Sequence, residues 1–193
     1  KRPAFYPAGD EHTMVYDVTG RSIPARGIPI SVGCVVDNVG TMRSVYEALE
    51  GRPVTDKYLS VTGDVREPVM LRVPIGTYFR ECVALAGTGL SEYAAVNGGP
   101  MMGRAMVNLA SPVTKGCSGI TVMSGRDAQR REASQCIKCA KCVAACPMGL
   151  EPYYLSKMTQ KKGWEEVEAQ MITSCIECGC CQASCPSYLP LLD

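Results

Sequence analysis

Apolar and polar residues alternate along residues 58–79, which carry the clearest strand pattern in the chain. Gly63 and Asp64 divide this run, and Pro68 and Pro74 stand where extended segments would end. Because a Gly-Asp pair between two alternating segments favours a tight reversal, the pattern predicts a β-hairpin.

Three other segments have apolar residues at the three-and-four spacing of amphipathic helices. The first surrounds Phe79 and ends before Gly87, the second follows the acidic Asp10, and the third covers residues 150–174 with a break at Gly163. The acidic residue suits a helix start, and the break predicts two short helices. A hairpin followed by a helix is typical of a small β-grasp module, so we expect an α+β fold.

The composition narrows the class of protein. With 46% hydrophobic and 20% charged residues, the chain is expected to be a soluble globular protein of no more than two small domains. Lys and Arg number 20 against 19 Asp and Glu, so no basic excess favours nucleic acid as a partner. No apolar run reaches the roughly 18–20 residues that span a bilayer, and no secretory signal is evident. Because the chain begins at Lys1, we expect it to be part of a longer polypeptide.

Eight of the twelve cysteines share a repeated spacing in two tight runs near the C-terminus. Such bunching is unsuited to a disulfide framework, and a reducing cytosol would keep these thiols free to bind metal. Each run has the spacing C-x2-C-x2-C-x3-C followed by proline. The first run is Cys136, Cys139, Cys142 and Cys146, and the second is Cys175, Cys178, Cys181 and Cys185.

This spacing predicts two 4Fe-4S clusters with crossed ligands. Three closely spaced thiolates can hold three irons of one cube, whereas the fourth cysteine of each run reaches the other cluster. The first cluster is expected to bind Cys136, Cys139, Cys142 and Cys185. The second is expected to bind Cys175, Cys178, Cys181 and Cys146. Paired clusters of this kind pass single electrons between redox partners.

The remaining candidates fit other chemistry or none. Zinc also binds C-x2-C pairs, although zinc ribbons have two pairs rather than two sets of four. Cys180 lies inside the second run but outside its spacing, which suggests a packed or polarity-tuning neighbour. His12, the only histidine, has no cysteine nearby in sequence, and Trp164 is interpreted as a packing residue. The isolated cysteines are expected to be buried small hydrophobes; they are Cys34, Cys82 and Cys117.

Several stretches together resemble RnfC, a component of the Rnf electron-transport complex, across essentially the whole chain. The stretches are YPAGDEH at 6–12, TGRSIPARGIP at 19–29, DNVGT at 37–41, VPIGT at 73–77, GGPMMG at 98–103, PVTKGCSG at 112–119 and both cysteine motifs. Their number and order carry the resemblance, because the cysteine motifs alone occur in many unrelated proteins.

The resemblance implies a flavoprotein related to the NADH-oxidising subunit of respiratory complex I. It implies the end of an α/β FMN- and NADH-binding domain at 1–56, a β-grasp domain of the SLBB type at 57–110, a linker at 111–130 and an α-helical ferredoxin domain at 131–193. The positions that correspond to the relative's flavin and nicotinamide site are Glu11, Asp37, Asn38 and Thr41. The glycine-rich flavin loop is expected upstream of Lys1, so residues 1–193 alone are expected to be inactive with NADH.

The resemblance also implies partners and a location. The partners are NADH, the other Rnf subunits and, indirectly, ferredoxin, and the location is peripheral, on the cytoplasmic face of the bacterial inner membrane. Two alternatives stay open. One is a cobalamin reductase of the PduS type, and the other is a non-enzymatic ligand-binding module whose clusters only hold the fold together.

Overall fold

The computed structural model describes residues 4–129 and 131–192 and contains both helices and strands. The helices are α1 (Glu11–Thr19), α2 (Val39–Leu49), α3 (Phe79–Ala86), α4 (Gly125–Ala128), α5 (Lys141–Ala144), α6 (Pro152–Gln160), α7 (Trp164–Ala169) and α8 (Cys180–Ala183). The strands are β1 (Asp56–Gly63), β2 (Val69–Pro74), β3 (Tyr93–Asn97), β4 (Arg104–Ala105) and β5 (Gly119–Ser124). Two short 3-10 helices, Pro29–Val32 and Ile172–Ser174, complete the elements of the described residues.

The chain divides into two compact units. Residues 37–130 form the sheet unit, whereas residues 1–36 and 131–193 together form the cysteine unit. The predicted end of the flavin domain, residues 1–56, is therefore shared between the two units. Helix α2 is grouped with the sheet that follows it rather than with α1.

The sheet unit has five strands in the order β2-β1-β5-β3-β4. Strands β1 and β2 pair antiparallel from Asp56 with Pro74 to Val61 with Val69, which confirms the predicted hairpin. Strand β5 lies between β1, to which it is parallel, and β3, to which it is antiparallel. This placement corrects the prediction of a linker at 111–130, because those residues supply the central strand of the sheet.

Helix α3 and the sheet enclose the core of this unit. Tyr78 caps the start of the helix, since its backbone N–H donates a 2.9 Å hydrogen bond to the Glu81 carboxylate, and the helix ends before Gly87 as predicted. The core is formed by side chains that are less than a tenth exposed; they are Leu59, Val61, Val73, Phe79, Cys82, Val83, Ala86, Ala95, Val113, Cys117, Ile120 and Val122. At the end of β1, Gly63 has φ +90°, and a Cβ there would lie 2.1 Å from the Val122 carbonyl oxygen, so only glycine allows the strands to approach.

The cysteine unit is built from short helices joined by cysteine-bearing loops. Asp10 caps α1 through its carboxylate, which accepts a hydrogen bond from the His12 backbone N–H at 2.9 Å. Helices α6 and α7 pack together through a small buried cluster of Leu150, Leu155 and Val167. The two short helices predicted around Gly163 are thus confirmed.

Within the described residues, every helix falls short of the length and apolar character that a membrane span requires.

Candidate metal centre

The two cysteine loops have the same backbone shape. Lys138 and Ala140 of the first loop have φ of 56° and 58°, and Glu177 and Gly179 at the equivalent places of the second have 52° and 80°. Three of these four residues carry a Cβ, which makes left-handed backbone cost about 1–2 kcal/mol each. Each loop then leads into a single-turn helix, α5 or α8, whose second residue is the third cysteine of the motif. The repeated shape curls each C-x2-C-x2-C segment around its own thiols.

The first cavity is lined by thiols from both motifs. It has a volume of about 340 Å³, and its lining includes Cys136, Cys139, Cys142 and Cys185. Cys185 comes from the second motif, whereas Cys146 of the first motif does not line this cavity. The fold therefore brings together the set that the crossed arrangement predicts for one cluster.

The second set is brought together in the complementary way. Cys146 interacts electrostatically with Cys175 and Cys181, and Cys178 interacts with the same two thiols. Two backbone N–H groups donate to sulfur at 3.4 Å, from Leu150 to the Cys146 Sγ and from Glu177 to the Cys175 Sγ. Hydrogen bonds of this kind favour the thiolate over the thiol, and the thiolate is the form that binds iron.

The thiol chemistry fits a cationic iron-sulfur group. Burial raises the pKa of Cys175, and it raises the pKa of Cys181 to about 11. Such thiols are costly to ionise unless metal cations offset the charge, and metal binding releases their protons. Among the described residues, no three His, Cys, Asp or Glu side chains converge closely enough to hold a single metal ion. A bound 4Fe-4S cluster would supply reversible one-electron chemistry between the thiols.

The remaining candidates lie apart from these sets or beside them. Cys82 and Cys117 are fully buried in the core of the sheet unit, so their prediction as small hydrophobes is confirmed. Cys34 is only half-buried, so the prediction that it is a buried residue is wrong. The thiol of Cys180 donates a hydrogen bond to the sulfur of Cys178, and burial together with this hydrogen bond raises the pKa of Cys180 to about 11. Cys180 is therefore a polar neighbour of the second set. Trp164 is 62% exposed, which makes its interpretation as a packing residue wrong.

Tyr6 is a residue of this site that sequence reasoning missed. Its hydroxyl donates a 2.5 Å hydrogen bond to the backbone carbonyl oxygen of Cys178, across 172 positions of sequence. Burial raises the pKa of Tyr6, and charges on Cys178 and Cys180 add to the effect. No local spacing could have indicated this contact, because the two residues lie near opposite ends of the chain.

The predicted flavin-site residues fall in different units. Glu11 lies in the first turn of α1 in the cysteine unit, whereas the other three belong to the sheet unit. Asn38 caps α2, since its Oδ1 accepts a 2.8 Å hydrogen bond from the Gly40 N–H. Asn38 and Thr41 line a cavity of about 810 Å³ in the sheet unit, and Asp37 precedes the cap.

Three family profiles match successive parts of the sequence. The Nuo51 FMN-binding domain matches residues 1–47, the SLBB domain matches 58–105, and the 4Fe-4S dicluster domain matches 135–188. The last match covers both cysteine motifs. The profiles agree with the predicted end of a flavin domain, the β-grasp module and the two-cluster domain, and with the relation to the complex I flavoprotein.

Two RnfC proteins and a cobalamin reductase are similar to this chain over most of its length. The RnfC component of the proton-translocating ferredoxin:NAD(+) oxidoreductase complex of Clostridium ljungdahlii is 38% identical over 172 residues, which cover 87% of the chain. The corresponding component of the Na(+)-translocating complex of Acetobacterium woodii is 37% identical over 85% of the chain. The chain is thus similar to RnfC proteins over most of its own length. Cobalamin reductase PduS of Citrobacter freundii is related at 39% identity over 80% of the chain.

The matched RnfC proteins are longer than this chain. It spans 37% of the Clostridium protein and 38% of the Acetobacterium protein. The cobalamin reductase is matched over 37% of its length.

Proposed function

We propose that this chain carries single electrons between NAD(H) with FMN and membrane-bound ion-pumping partners, as part of a ferredoxin:NAD oxidoreductase complex. The observation that carries the proposal is the crossed grouping of thiols. One cavity is lined by three cysteines of the first motif and by Cys185 of the second, while Cys146 lies with the second motif. Each cluster then takes one ligand from the motif that holds the other cluster, so the two clusters must be neighbours, which suits electron transfer between them.

The proposed ligands follow from this grouping. The first cluster binds Cys136, Cys139, Cys142 and Cys185, and the second binds Cys175, Cys178, Cys181 and Cys146. Most of these thiols are buried or half-buried, so the loops and helices α5 and α8 exclude water from one side of each cluster. Exclusion of water and the N–H donors to sulfur set the reduction potentials.

The proposed flavin contacts are Glu11, Asp37, Asn38 and Thr41. By the resemblance, they correspond in position to residues of the family's flavin and nicotinamide site, although Asp37 stands where the related complex I subunit has Asn. Residues 1–47 match the FMN-binding profile, which supports the proposal. In the whole protein, the domains would follow the predicted order, with the sheet unit between the flavin and cluster regions in sequence. The cofactors carry the redox chemistry, so these residues bind and orient rather than react.

The proposed partners are the other members of the Rnf complex, with NADH as substrate and ferredoxin as an indirect partner. The two similar proteins from Clostridium and Acetobacterium are named as parts of such complexes. We place the protein at the cytoplasmic face of the bacterial inner membrane, bound to membrane-embedded subunits.

The proposal is tested by adding NADH to the full-length protein under anaerobic conditions. We expect NADH to reduce the clusters, which appears as the EPR signals of reduced 4Fe-4S centres. A matched sample with Glu11→Gln should retain its clusters, as iron analysis would show, while NADH reduces them more slowly. Clusters that dithionite reduces but NADH leaves oxidised in the full-length protein would contradict the proposal.

Cobalamin reduction is the second candidate function, because the identity to PduS is as high as the identity to the RnfC proteins. A direct comparison separates the two. The NADH-reduced protein is mixed with cob(III)alamin, and the rate of cobalamin reduction is compared with the rate at which the same protein reduces an artificial one-electron acceptor. Transfer to cobalamin that is as rapid as transfer to the artificial acceptor would favour the second function, whereas little transfer to cobalamin would count against it.

A further inference from the structure

The two cysteine loops differ in exposure although their backbones have the same shape. In the first loop, all five residues from Cys136 to Ala140 are exposed. In the second loop, the equivalent Cys178 and Gly179 are buried. Tyr6 bonds the carbonyl of Cys178, so the N-terminal segment lies against the second loop.

The two loops also differ in charge. Lys138 of the first loop and Lys157 of α6 are the charged residues that line the first cavity, and both are exposed. The position equivalent to Lys138 in the second loop is Glu177. Neither lysine forms an ion pair within residues 4–129 and 131–192, so their charges face solvent.

Apolar groups surround these lysines. Ile137 is 66% exposed and Tyr153 is 37% exposed, and both line the same cavity. No acidic residue is among the described residues that line this cavity, and the carboxylate of Glu151 accepts a hydrogen bond from the Tyr153 hydroxyl. Exposed apolar residues among unpaired charges of one sign are characteristic of protein interaction sites.

We propose that this surface, the first-motif mouth formed by Cys136–Ala140, Tyr153 and Lys157, is the docking site for a redox protein that presents acidic side chains around its own redox centre. The proposal rests on the proposed function and adds which of the two clusters exchanges electrons with the protein partner. Positive charge at the mouth attracts an acidic partner and orients it, and the exposed loop brings the partner close to the thiols. One electron passes between the two centres, and no covalent bond forms or breaks.

The same difference between the two loops gives each cluster its place in the path of the electrons. The segment that covers the second loop belongs to residues 1–47, which match the FMN-binding profile. The second cluster is therefore the flavin-side centre, and the first cluster faces the protein partner. A partner that docked at the second loop would meet Tyr6 and Glu177 instead of lysines.

The test uses a reduced two-cluster bacterial ferredoxin as an acidic redox-protein probe of this surface. Electron transfer from the probe to the full-length protein is measured by stopped-flow spectroscopy at several salt concentrations. The variants are Lys138→Glu and Lys157→Glu. The second loop holds a glutamate, Glu177, at the same backbone position and φ, so the first loop should accept Lys138→Glu. Lys157 lies on α6, outside the loop, and provides an independent variant. Arg26→Glu, an exposed reversal in the N-terminal segment outside the cavity lining, is the matched control.

We expect each mouth variant to lower the second-order rate constant with ferredoxin roughly three- to tenfold at low salt, and the difference to shrink as salt rises. Hexaammineruthenium(III), a small cation, should instead oxidise the reduced mouth variants faster than the wild type. Rates with ferredoxin that change less than twofold from the Arg26→Glu control would overturn the proposal. So would equal losses with ferredoxin and the ruthenium complex. In either case, intact EPR signals and NADH-driven reduction would leave the proposed function standing, whereas their absence would defeat that function itself.

Discussion

The hydroxyl of Tyr6 provides a sensitive probe of the second cluster. Tyr6→Phe removes one oxygen and keeps the ring, so the hydrogen bond to the Cys178 carbonyl is lost while most packing remains. A hydrogen bond of this type contributes about 1 kcal/mol net. We therefore expect little loss of stability and full retention of iron.

The expected effect is on the reduction potential. The hydrogen of the Tyr6 hydroxyl carries a partial positive charge, which the hydrogen bond places beside the loop of Cys178. This charge stabilises the reduced, more negative form of the cluster. A tenfold change in the equilibrium constant of a one-electron reduction corresponds to about 59 mV in reduction potential. A free-energy difference of about 1 kcal/mol therefore corresponds to about 40 mV at most. Tyr6→Phe should lower the midpoint potential of the second cluster by up to this amount.

The assay is a potentiometric titration of the full-length protein followed by EPR. Tyr153→Phe is the matched control, because Tyr153 lines the cavity of the first cluster and its hydroxyl bonds Glu151. This control should affect only the first cluster. An unchanged potential of the second cluster in Tyr6→Phe, or equal shifts of both clusters, would refute the reasoning.

Three further predictions concern ligands and stability. Cys146→Ser should damage the cluster of the second motif and Cys185→Ser that of the first, as EPR would show; damage to the cluster of the same motif would refute the crossing. Leu59→Ala, at a fully buried position, should lower the free energy of unfolding of the sheet unit by about 2–5 kcal/mol in a denaturant titration, and a loss below about 1 kcal/mol would contradict the core assignment. Asn38→Ala should destabilise α2 by about 1 kcal/mol through loss of its cap, whereas Asn38→Asp should not; equal stabilities by thermal circular dichroism would contradict a capping role.

Local patterns were sufficient for the hairpin and for the grouping of the cysteines. The turn residues and alternation of 58–79 are contained in one short segment, and the motif spacing carries its own geometry. The spacing of apolar residues also indicated the two helices on either side of Gly163. It did not indicate which face of each helix is buried. Helix α7 has only six residues, of which Val167 is buried, so Trp164 at its start lies exposed.

Long-range pairing could not be predicted in the same way. Strand β5 pairs with β1 about sixty positions earlier, since Val61 lies opposite Ile120, and nothing in residues 111–130 indicates a central place in the sheet. The contact of Tyr6 with Cys178 and the difference in exposure between the loops have the same cause. Two motifs of identical spacing acquire different surroundings only when distant segments pack against one of them.

Iron and acid-labile sulfide analysis of the anaerobically purified full-length protein, combined with EPR after reduction, tests most directly whether the chain holds two clusters. The eight ligand cysteines predict about eight irons and eight sulfides for residues 131–193, with the signals of two interacting 4Fe-4S centres. Zinc in place of iron, or about four irons with a single centre assigned to these cysteines, would contradict the account.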